Sequence, residues 1–161
     1  INLRQELYKN FKTINDHLPE YFKDKKLTNI AIHIRRGDID KKYFNHAYFE
    51  NKIFINLIKK FNKKYNNCNI HVFSCERNVE GWSEFKKLNC KLHLRKNWSN
   101  DQLKYEKIDI HHFIEADILV IGGTFSYFPA FLNKNQIYYP NMYWHSPLKN
   151  WKIYDKYGNI K

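Results

Sequence analysis

IAIHIRRGD, residues 30–38, is a short apolar run that ends in two arginines, a glycine and an aspartate. The isoleucine-rich part predicts a strand over residues 28–35, buried on both faces as in a parallel sheet. Because side chains alternate along a strand, His33 and Arg35 are predicted to project from the same face, with Arg36 beginning the turn. The segment therefore predicts a core strand that delivers charge to its carboxyl end.

The segments on either side alternate between helical and strand-like patterns. Helices are predicted where apolar residues recur at helical spacing, at residues 3–14, 48–65, 79–88, 101–115 and 126–132. Further strands are predicted at residues 69–74, 90–94, 117–121 and 136–139, and the tail after Pro140 is predicted to be irregular. Strands that alternate with helices imply right-handed crossovers and a parallel sheet covered on both faces. The predicted fold is a Rossmann-like α/β domain.

The composition fits one globular domain, with 161 residues of which 43% are hydrophobic. Its net charge of +12 comes from scattered lysines, which favours general surface charge over a nucleic-acid groove, although a basic nucleic-acid-binding domain stays open as an alternative. The three cysteines show no CxxC spacing, so a zinc site is not predicted. No stretch approaches the roughly 20 apolar residues of a membrane span. Because the only methionine is Met142, the chain is predicted to be a fragment of a longer protein.

The end of the first predicted strand carries the strongest sign of a binding site. Two adjacent guanidinium groups at the end of an apolar strand are costly unless an anion meets them there. The planar fork of arginine suits phosphate because it donates two parallel hydrogen bonds. Gly37 permits a tight turn, and Asp38 can hold one arginine in position. The alternative is that Arg35 and Arg36 form salt bridges at a sheet edge, but the full H-x-R-R-G-D pattern after an apolar strand favours an anion site.

A second strand end has a related character, in the run ADILVIGGTFSYFPAFL of residues 116–132. Its strand ends at two glycines, where a backbone can approach a ligand closely. Thr124 or Ser126 can cap the helix that follows, and a helix amino terminus attracts anions. The alternative is an ordinary strand-to-helix turn. Opposite the arginine pair, this turn is predicted to form the second half of a phosphate clamp.

Asp109, eight residues before that strand, could accept from the N1–H and N2–H₂ donors of guanine. A solvent-facing aspartate near a helix start is an equally good interpretation. The neighbouring His111 and His112 suggest a metal only weakly, because no further ligand stands at metal spacing.

These motifs resemble those of a known family. His33 to Asp38 is similar to the H-x-R-R-G-D motif of α1,2-fucosyltransferases and of the bacterial nodulation-factor α1,6-fucosyltransferase, and more loosely to that of animal α1,6-fucosyltransferases. The matching features farther along are the strand ending FS before Trp82, the helix with Asp109 near its start, and the block that runs from Gly123-Thr124-Phe125-Ser126 to Ile137-Tyr138-Tyr139. The resemblance covers residues 29–140, with the motifs in the family's order.

The resemblance implies the later, GDP-fucose-binding half of a GT-B glycosyltransferase, with the whole chain, residues 1–161, as a single donor-binding domain. It implies transfer of fucose from GDP to an acceptor hydroxyl, such as that of a glycan, with inversion and without a metal or other cofactor. Arg35 and Arg36 would contact the pyrophosphate. The resemblance also implies His33 and Asp109 near guanine, and Thr124, Phe125 and Ser126 near the phosphates. Asp38 and Gly123 complete the predicted donor-binding residues.

The catalytic base is the weakest part of this prediction. Animal α1,6-fucosyltransferases place a glutamate shortly after the motif, where this sequence has Tyr43, and Asp40 is the carboxylate chosen instead. Only about 29 residues precede the IAIHIRRGD segment, so the resemblance predicts that an amino-terminal acceptor domain lies outside this sequence. A non-catalytic module that binds a GDP-sugar is therefore the main alternative.

Overall fold

The fold was determined from a computed structural model that describes residues 2–14, 18–39, 42, 47–76, 81–96 and 102–161. Six parallel strands form one sheet in the order β3-β2-β1-β4-β5-β6. The strands are β1 (Thr28–Ile34), β2 (Cys68–Glu76), β3 (Lys91–Lys96), β4 (Ile118–Val120), β5 (Gln136–Pro140) and β6 (Lys152–Tyr154). The predicted Rossmann-like α/β fold is confirmed.

Five α-helices surround the described part of this sheet. They are α1 (Leu3–Ile14), α2 (Asn51–Lys64), α3 (Trp82–Phe85), α4 (Gln102–Glu115) and α5 (Tyr127–Leu132), and short 3₁₀ turns occupy Glu20–Phe22 and Thr124–Ser126. The helix predicted over residues 79–88 is shorter than expected, and residues 79 and 80 lie outside the described residues. None of the described helices combines the length and the apolar character needed to cross a bilayer.

Strand β1 separates two hydrophobic layers. Its even-numbered isoleucines pack with α2 and α3 on one face, where Phe54, Leu57 and Phe61 of α2 are fully buried. Ala31 faces the other way, into a layer that contains Phe113 of α4 and residues of α5. Because both faces are covered, β1 has the continuous apolar sequence expected of a buried parallel strand.

The tail after Pro140 was predicted to be irregular, and this prediction is wrong for residues 152–154. Residues 152–154 form β6, which pairs in parallel with β5 at the edge of the sheet. Trp151 and Tyr154 are buried, and the hydroxyl of Tyr154 donates to the carbonyl oxygen of Ile121 at 2.6 Å. A strand of three residues has no periodicity of its own, so its pairing with β5 could not be recognised locally.

A cluster of aromatic rings on the α4 side of the sheet contains His71, His93 and His112 around Tyr21. The Tyr21 ring stacks on His93 at 4.3 Å and on His112 at 4.6 Å between ring centroids. His71 Nδ1 lies 2.7 Å from His93 Nε2, and His112 accepts from the Tyr21 N–H at 3.2 Å. His71 Nε2 donates to Oδ1 of Asn69 at 2.8 Å, so its Nδ1 accepts from His93. His71 and His112 therefore each carry an acceptor nitrogen, which makes both rings neutral.

This cluster predicts a loss of stability in acid. Mainly because of burial, the pKa of His71 is lowered to about 3 and the pKa values of His93 and His112 to about 4. In the unfolded chain their pKa is about 6.5, so below that pH the unfolded state binds protons that the folded state excludes. Their contribution is complete above about pH 6.5 and is lost as the pH falls. We expect the free energy of unfolding, measured with urea, to decrease by several kcal/mol between pH 7 and pH 4.

The variant His93→Gln provides the control for this prediction. Its amide can still donate to His71 Nδ1, but it removes one titrating group, so the dependence on pH should become shallower. Asp109→Asn should make it steeper, because burial raises the pKa of Asp109 to about 6 and its titration has the opposite sign. An unfolding free energy that is constant between pH 7 and pH 4 in the wild type would contradict the prediction.

Candidate functional site

The strand order places a topological switch point between β1 and β4, and the region beyond the carboxyl ends of these two strands is here called the crevice. From β1 the chain proceeds outward to β2 and β3, and it then returns across the sheet to β4 and continues to β5 and β6 on the other side. The connections after β1 and β4 therefore diverge. Ligands of open α/β sheets bind at this switch point, beyond the carboxyl ends of the strands. The two strand ends that the sequence singled out are the two that flank it.

The backbones of these two strand ends are in direct contact. The Arg35 N–H donates to the carbonyl oxygen of Gly122 at 3.1 Å. A Cβ placed on Gly122 would lie 1.9 Å from the carbonyl oxygen of His33, and one on Gly123 would lie 2.7 Å from Cβ of Arg35. Gly123 has an extended backbone that any residue could adopt, so its dihedral angles do not require glycine. Glycine is required because the two strand ends approach so closely that a Cβ would not fit. The structure thus brings the arginine motif and the glycine turn together.

The buried His33 of β1 links the arginine motif to the glycine turn after β4. Its ring is 7% exposed, and Nδ1 lies 2.8 Å from Oγ of Ser126, which in turn donates to the Gly123 carbonyl oxygen at 2.9 Å. The Nδ1–H of His33 is therefore the donor to Ser126. Burial and then the charges of Arg35 and Arg36 lower the pKa of His33 to about 3, so the ring is neutral. Its Nε2 remains an acceptor without a partner among the described residues.

The expected helix cap in the glycine turn is absent. The Ser126 hydroxyl bonds to Gly123 and His33, and neither Thr124 nor Ser126 makes a capping hydrogen bond with its side chain. A 3₁₀ turn precedes α5, which has only six residues. The helix amino terminus is therefore a weaker anion site than the sequence suggested, and the buried serine has a positioning role toward His33.

Arg35 presents its guanidinium at the mouth of the crevice. Its Nε donates to Asp38 Oδ1 at 3.2 Å and its Nη2 to Asp38 Oδ2, which confirms that Asp38 holds an arginine in position. This hydrogen bond, opposed by burial, raises the pKa of Arg35. The arginine side chain is 32% exposed and the Asp38 side chain 63%. Among the described residues no hydrogen bond involves Nη1, so this end of the fork can receive an anion. Gly37, at φ 92°, makes the turn that brings Asp38 back to Arg35.

Arg36 lies on the other side of the strand end. Its guanidinium donates to the carbonyl oxygens of Arg35 and Phe49 at 2.7 and 2.8 Å and to Oδ1 of Asn51. It also lies over the Tyr48 ring, 4.2 Å from the centroid. The two guanidinium groups therefore do not converge in this structure. Arg36 joins the turn to the start of α2, and burial lowers its pKa.

Asp109 is 7% exposed, so the alternative of a solvent-facing aspartate is wrong. It lies within α4, and its Oδ1 accepts from Arg95 Nη2 at 2.7 Å and from Nε at 3.3 Å. Burial raises the pKa of Asp109 to about 6 against the opposing influence of Arg95. Phe113, one helical turn farther along α4, contacts His33 at 5.5 Å between ring centroids. Asp109 therefore belongs to the surroundings of the crevice.

Thr124 and Phe125 lie at the exposed rim of the crevice. The Phe125 ring is near His33, at 5.7 Å between centroids. Oγ1 of Thr124 lies 2.5 Å from the hydroxyl of Tyr143, and the Tyr143 side chain also acts electrostatically on Arg35. The sequence prediction missed Tyr143 because it belongs to the tail. The density of aromatic residues after Pro140 was the available signal.

The remaining predicted features concern the base and metals. Asp40 lies outside the described residues. Within the described ranges, no group of three or more His, Cys, Asp or Glu side chains is placed to hold a metal ion. His112 donates to the Ile108 carbonyl oxygen at 2.7 Å, which gives that ring a structural role. The cysteines Cys68, Cys75 and Cys90 are free thiols.

The crevice thus combines a fixed cation at Arg35, a close backbone turn at Gly122–Gly123, and a neutral histidine beneath them. Such a set of groups suits a ligand with a diphosphate. In comparisons with known proteins, no family model and no curated protein sequence matches this chain.

Proposed function

We propose that this chain is the donor-binding half of a fucosyltransferase-like glycosyltransferase, which transfers fucose from GDP-fucose to an acceptor hydroxyl with inversion. The observation that carries the proposal is the contact between Arg35 and the Gly122–Gly123 turn at the switch point of the sheet. An arginine fork and close backbone at that position favour a diphosphate ligand. The order and type of the motifs favour GDP-fucose among the sugar nucleotides.

In this reaction the bond between C1 of fucose and the β-phosphate oxygen breaks while the acceptor oxygen attacks C1 from the opposite face. The leaving GDP gains negative charge as that bond lengthens. Arg35 would stabilise this charge, because its position is fixed by Asp38 before the donor arrives. The base takes the proton of the acceptor hydroxyl, and Asp40 is our candidate for it.

Arg36 has a second role in the proposal. It supports the turn through the Arg35 carbonyl and the start of α2, and its partly buried charge adds to the positive potential at the strand end. For Arg36 to contact the pyrophosphate directly, its guanidinium would have to break its hydrogen bond to Asn51 or bond to Asn51 and the donor together. The variant Arg36→Lys keeps the charge and loses the fork, so it separates these two contributions.

Tyr143→Phe should weaken GDP binding modestly. The change removes the hydroxyl that contacts Thr124 Oγ1 and leaves the ring in place against Phe49 and Tyr139. In the proposal this hydroxyl positions Thr124 beside the phosphates, and one hydrogen bond contributes about 0.5–1.5 kcal/mol. The dissociation constant should therefore rise by at most roughly two- to tenfold. Isothermal titration with GDP measures this rise. An unchanged constant would place Tyr143 outside the site.

One set of assays distinguishes the proposal from its alternatives. GDP binding with release of fucose from GDP-fucose, both lost in Arg35→Ala, supports the transferase. GDP binding without turnover favours the non-catalytic module. Salt-dependent binding of oligonucleotides that GDP does not affect, with no binding of GDP itself, would overturn both and support the nucleic-acid domain.

A further inference from the structure

We propose that Arg95 determines base specificity in this site: together with Asp109 it forms a paired donor and acceptor that recognises the Watson–Crick edge of guanine. Arg95 was not among the residues that the sequence pointed to. The inference rests on the proposed function, because it requires a diphosphate at Arg35.

The register of the sheet places Arg95 in the same row as Arg35. Ile34 pairs with Ser74 and Ser74 with Leu94, while Cys75 pairs with Arg95 one residue later. Arg35, Cys75 and Arg95 therefore stand at one level on neighbouring strand ends, and side chains at one level of a parallel sheet share a face. That face is the one covered by α4. Two strand spacings separate the outer members of this row, or about 10 Å. A nucleotide whose diphosphate lies at Arg35 can extend over Cys75 and place its base at Arg95.

The Arg95–Asp109 pair leaves hydrogen-bonding groups available. Both hydrogen bonds from Arg95 to Asp109 go to Oδ1, and Arg95 also interacts with the Tyr21 side chain. Oδ2 of Asp109 has no hydrogen-bond partner in the described part of the chain. Arg95 has five N–H donors, of which these contacts occupy only part. The Arg95 guanidinium also lies over the ring of Tyr105, one turn before Asp109 on α4, with Cζ 4.7 Å from the ring centroid. The side chains are 17% and 10% exposed, so the pair is largely removed from water.

These groups complement guanine and oppose adenine. The guanine edge carries an acceptor, O6, beside the donors N1–H and N2–H₂. The guanidinium can donate to O6, as arginine does in nucleic-acid recognition, and Oδ2 can accept from the ring and amino N–H groups. Adenine presents the reverse pattern, with an amino donor toward Arg95 and a ring acceptor toward the carboxylate. The Arg95 donors and the Asp109 acceptor would then be left unpaired, and a buried polar group without a partner costs about 1–3 kcal/mol or more.

A purely structural salt bridge between β3 and α4 is the competing explanation. It would affect folding, and hence the binding of all nucleotides alike. A specificity role instead changes the ratio of affinities for two nucleotides that share the same diphosphate. That ratio is therefore the quantity to measure.

The experiment is isothermal titration of the full chain with GDP, ADP and 6-thio-GDP, for the wild type, Arg95→Met, Arg35→Ala and Arg4→Met. In the wild type we expect GDP to bind roughly ten- to a hundredfold more tightly than ADP. We also expect it to bind several-fold more tightly than 6-thio-GDP, in which sulfur, a poorer acceptor, replaces O6. Arg95→Met should remove most of both differences and leave ADP affinity within about threefold, which also reports that the variant is folded. Arg4 donates to the carbonyl oxygen of Asn133, just before β5 at the amino edge of the sheet, so Arg4→Met is the matched control and should change nothing.

Each contrary result has a distinct meaning. Equal losses of GDP and ADP affinity in Arg95→Met, or an unchanged ratio, would overturn the specificity role. The wild-type comparison of GDP with 6-thio-GDP tests the same contact if Arg95→Met does not fold, and equal affinities would overturn it. Equal binding of GDP and ADP that depends on Arg35 would overturn this inference and leave the diphosphate site standing. Absence of any binding that depends on Arg35 would overturn both.

Discussion

Arg35→Ala is expected to lower the affinity for GDP by about ten- to a hundredfold and the rate of fucose transfer by roughly 10²–10³. The guanidinium is held at the mouth of the crevice by Asp38, and its Nη1 end is directed to no other group among the described residues. Loss of this group removes the hydrogen bonds to the diphosphate and the positive charge that opposes the charge of the leaving GDP. Titration with GDP and an assay of GDP released from GDP-fucose measure the two effects.

Stability should change little in this variant. Arg35 and Asp38 form a partly exposed ion pair, and such pairs contribute less than about 1 kcal/mol. Arg4→Ala, at the opposite edge of the sheet, is the matched control and should retain wild-type binding. Normal GDP affinity in a folded Arg35→Ala protein would mean that the diphosphate does not bind at the end of β1.

Gly122→Ala should have the largest effect on stability of any change considered in this site. The added Cβ would lie 1.9 Å from the carbonyl oxygen of His33 and 3.0 Å from Cζ of Phe54. The first of these atoms belongs to the backbone of β1, so the conflict cannot be relieved by a side-chain rotation. The strand ends would have to separate, with loss of the hydrogen bond from Arg35 to Gly122. We expect a loss of about 3 kcal/mol or more in the free energy of unfolding, measured in urea.

Thr124→Ala provides the control within the same turn. Its side chain is exposed and makes one described hydrogen bond, to Tyr143, so its unfolding free energy should stay within about 1 kcal/mol of the wild type. If Gly122→Ala proved as stable as Thr124→Ala, the two strand ends would have to be farther apart than in this structure. The binding site between them would then lose its main support.

The fold was predictable because its main elements have strong local patterns. β1 and β4 are apolar on both faces, as strands between two helical layers must be, and α2 shows its apolar side at helical spacing. The exceptions depend on contacts distant in sequence. β6 forms only because β5 offers an edge for pairing. The spacing of apolar residues in α1 correctly predicted a helix. It did not show how deeply the helix packs, and Leu3 and Ile14 are in fact mostly exposed.

The site was predictable to a smaller degree. The interaction of Arg35 with Asp38 spans three residues, and its signal lay within the motif itself. Strand alternation put Arg35 and His33 on one face, but nothing local indicated that Arg36 would turn to Phe49 and Asn51. The pairing of Arg95 with Asp109 depends on how α4 lies against β3, which no periodicity in the sequence encodes.

The proposal that a GDP-sugar binds between β1 and β4 is tested most directly by amide chemical shifts in ¹H–¹⁵N spectra during addition of GDP with excess EDTA. We predict saturable shifts concentrated at Arg35, Gly37 and residues 122–126, and little change at Asn29 and Asp117, which lie at the opposite edge of the sheet. Shifts centred on that opposite edge, or no saturable shifts at all, would contradict the proposed site.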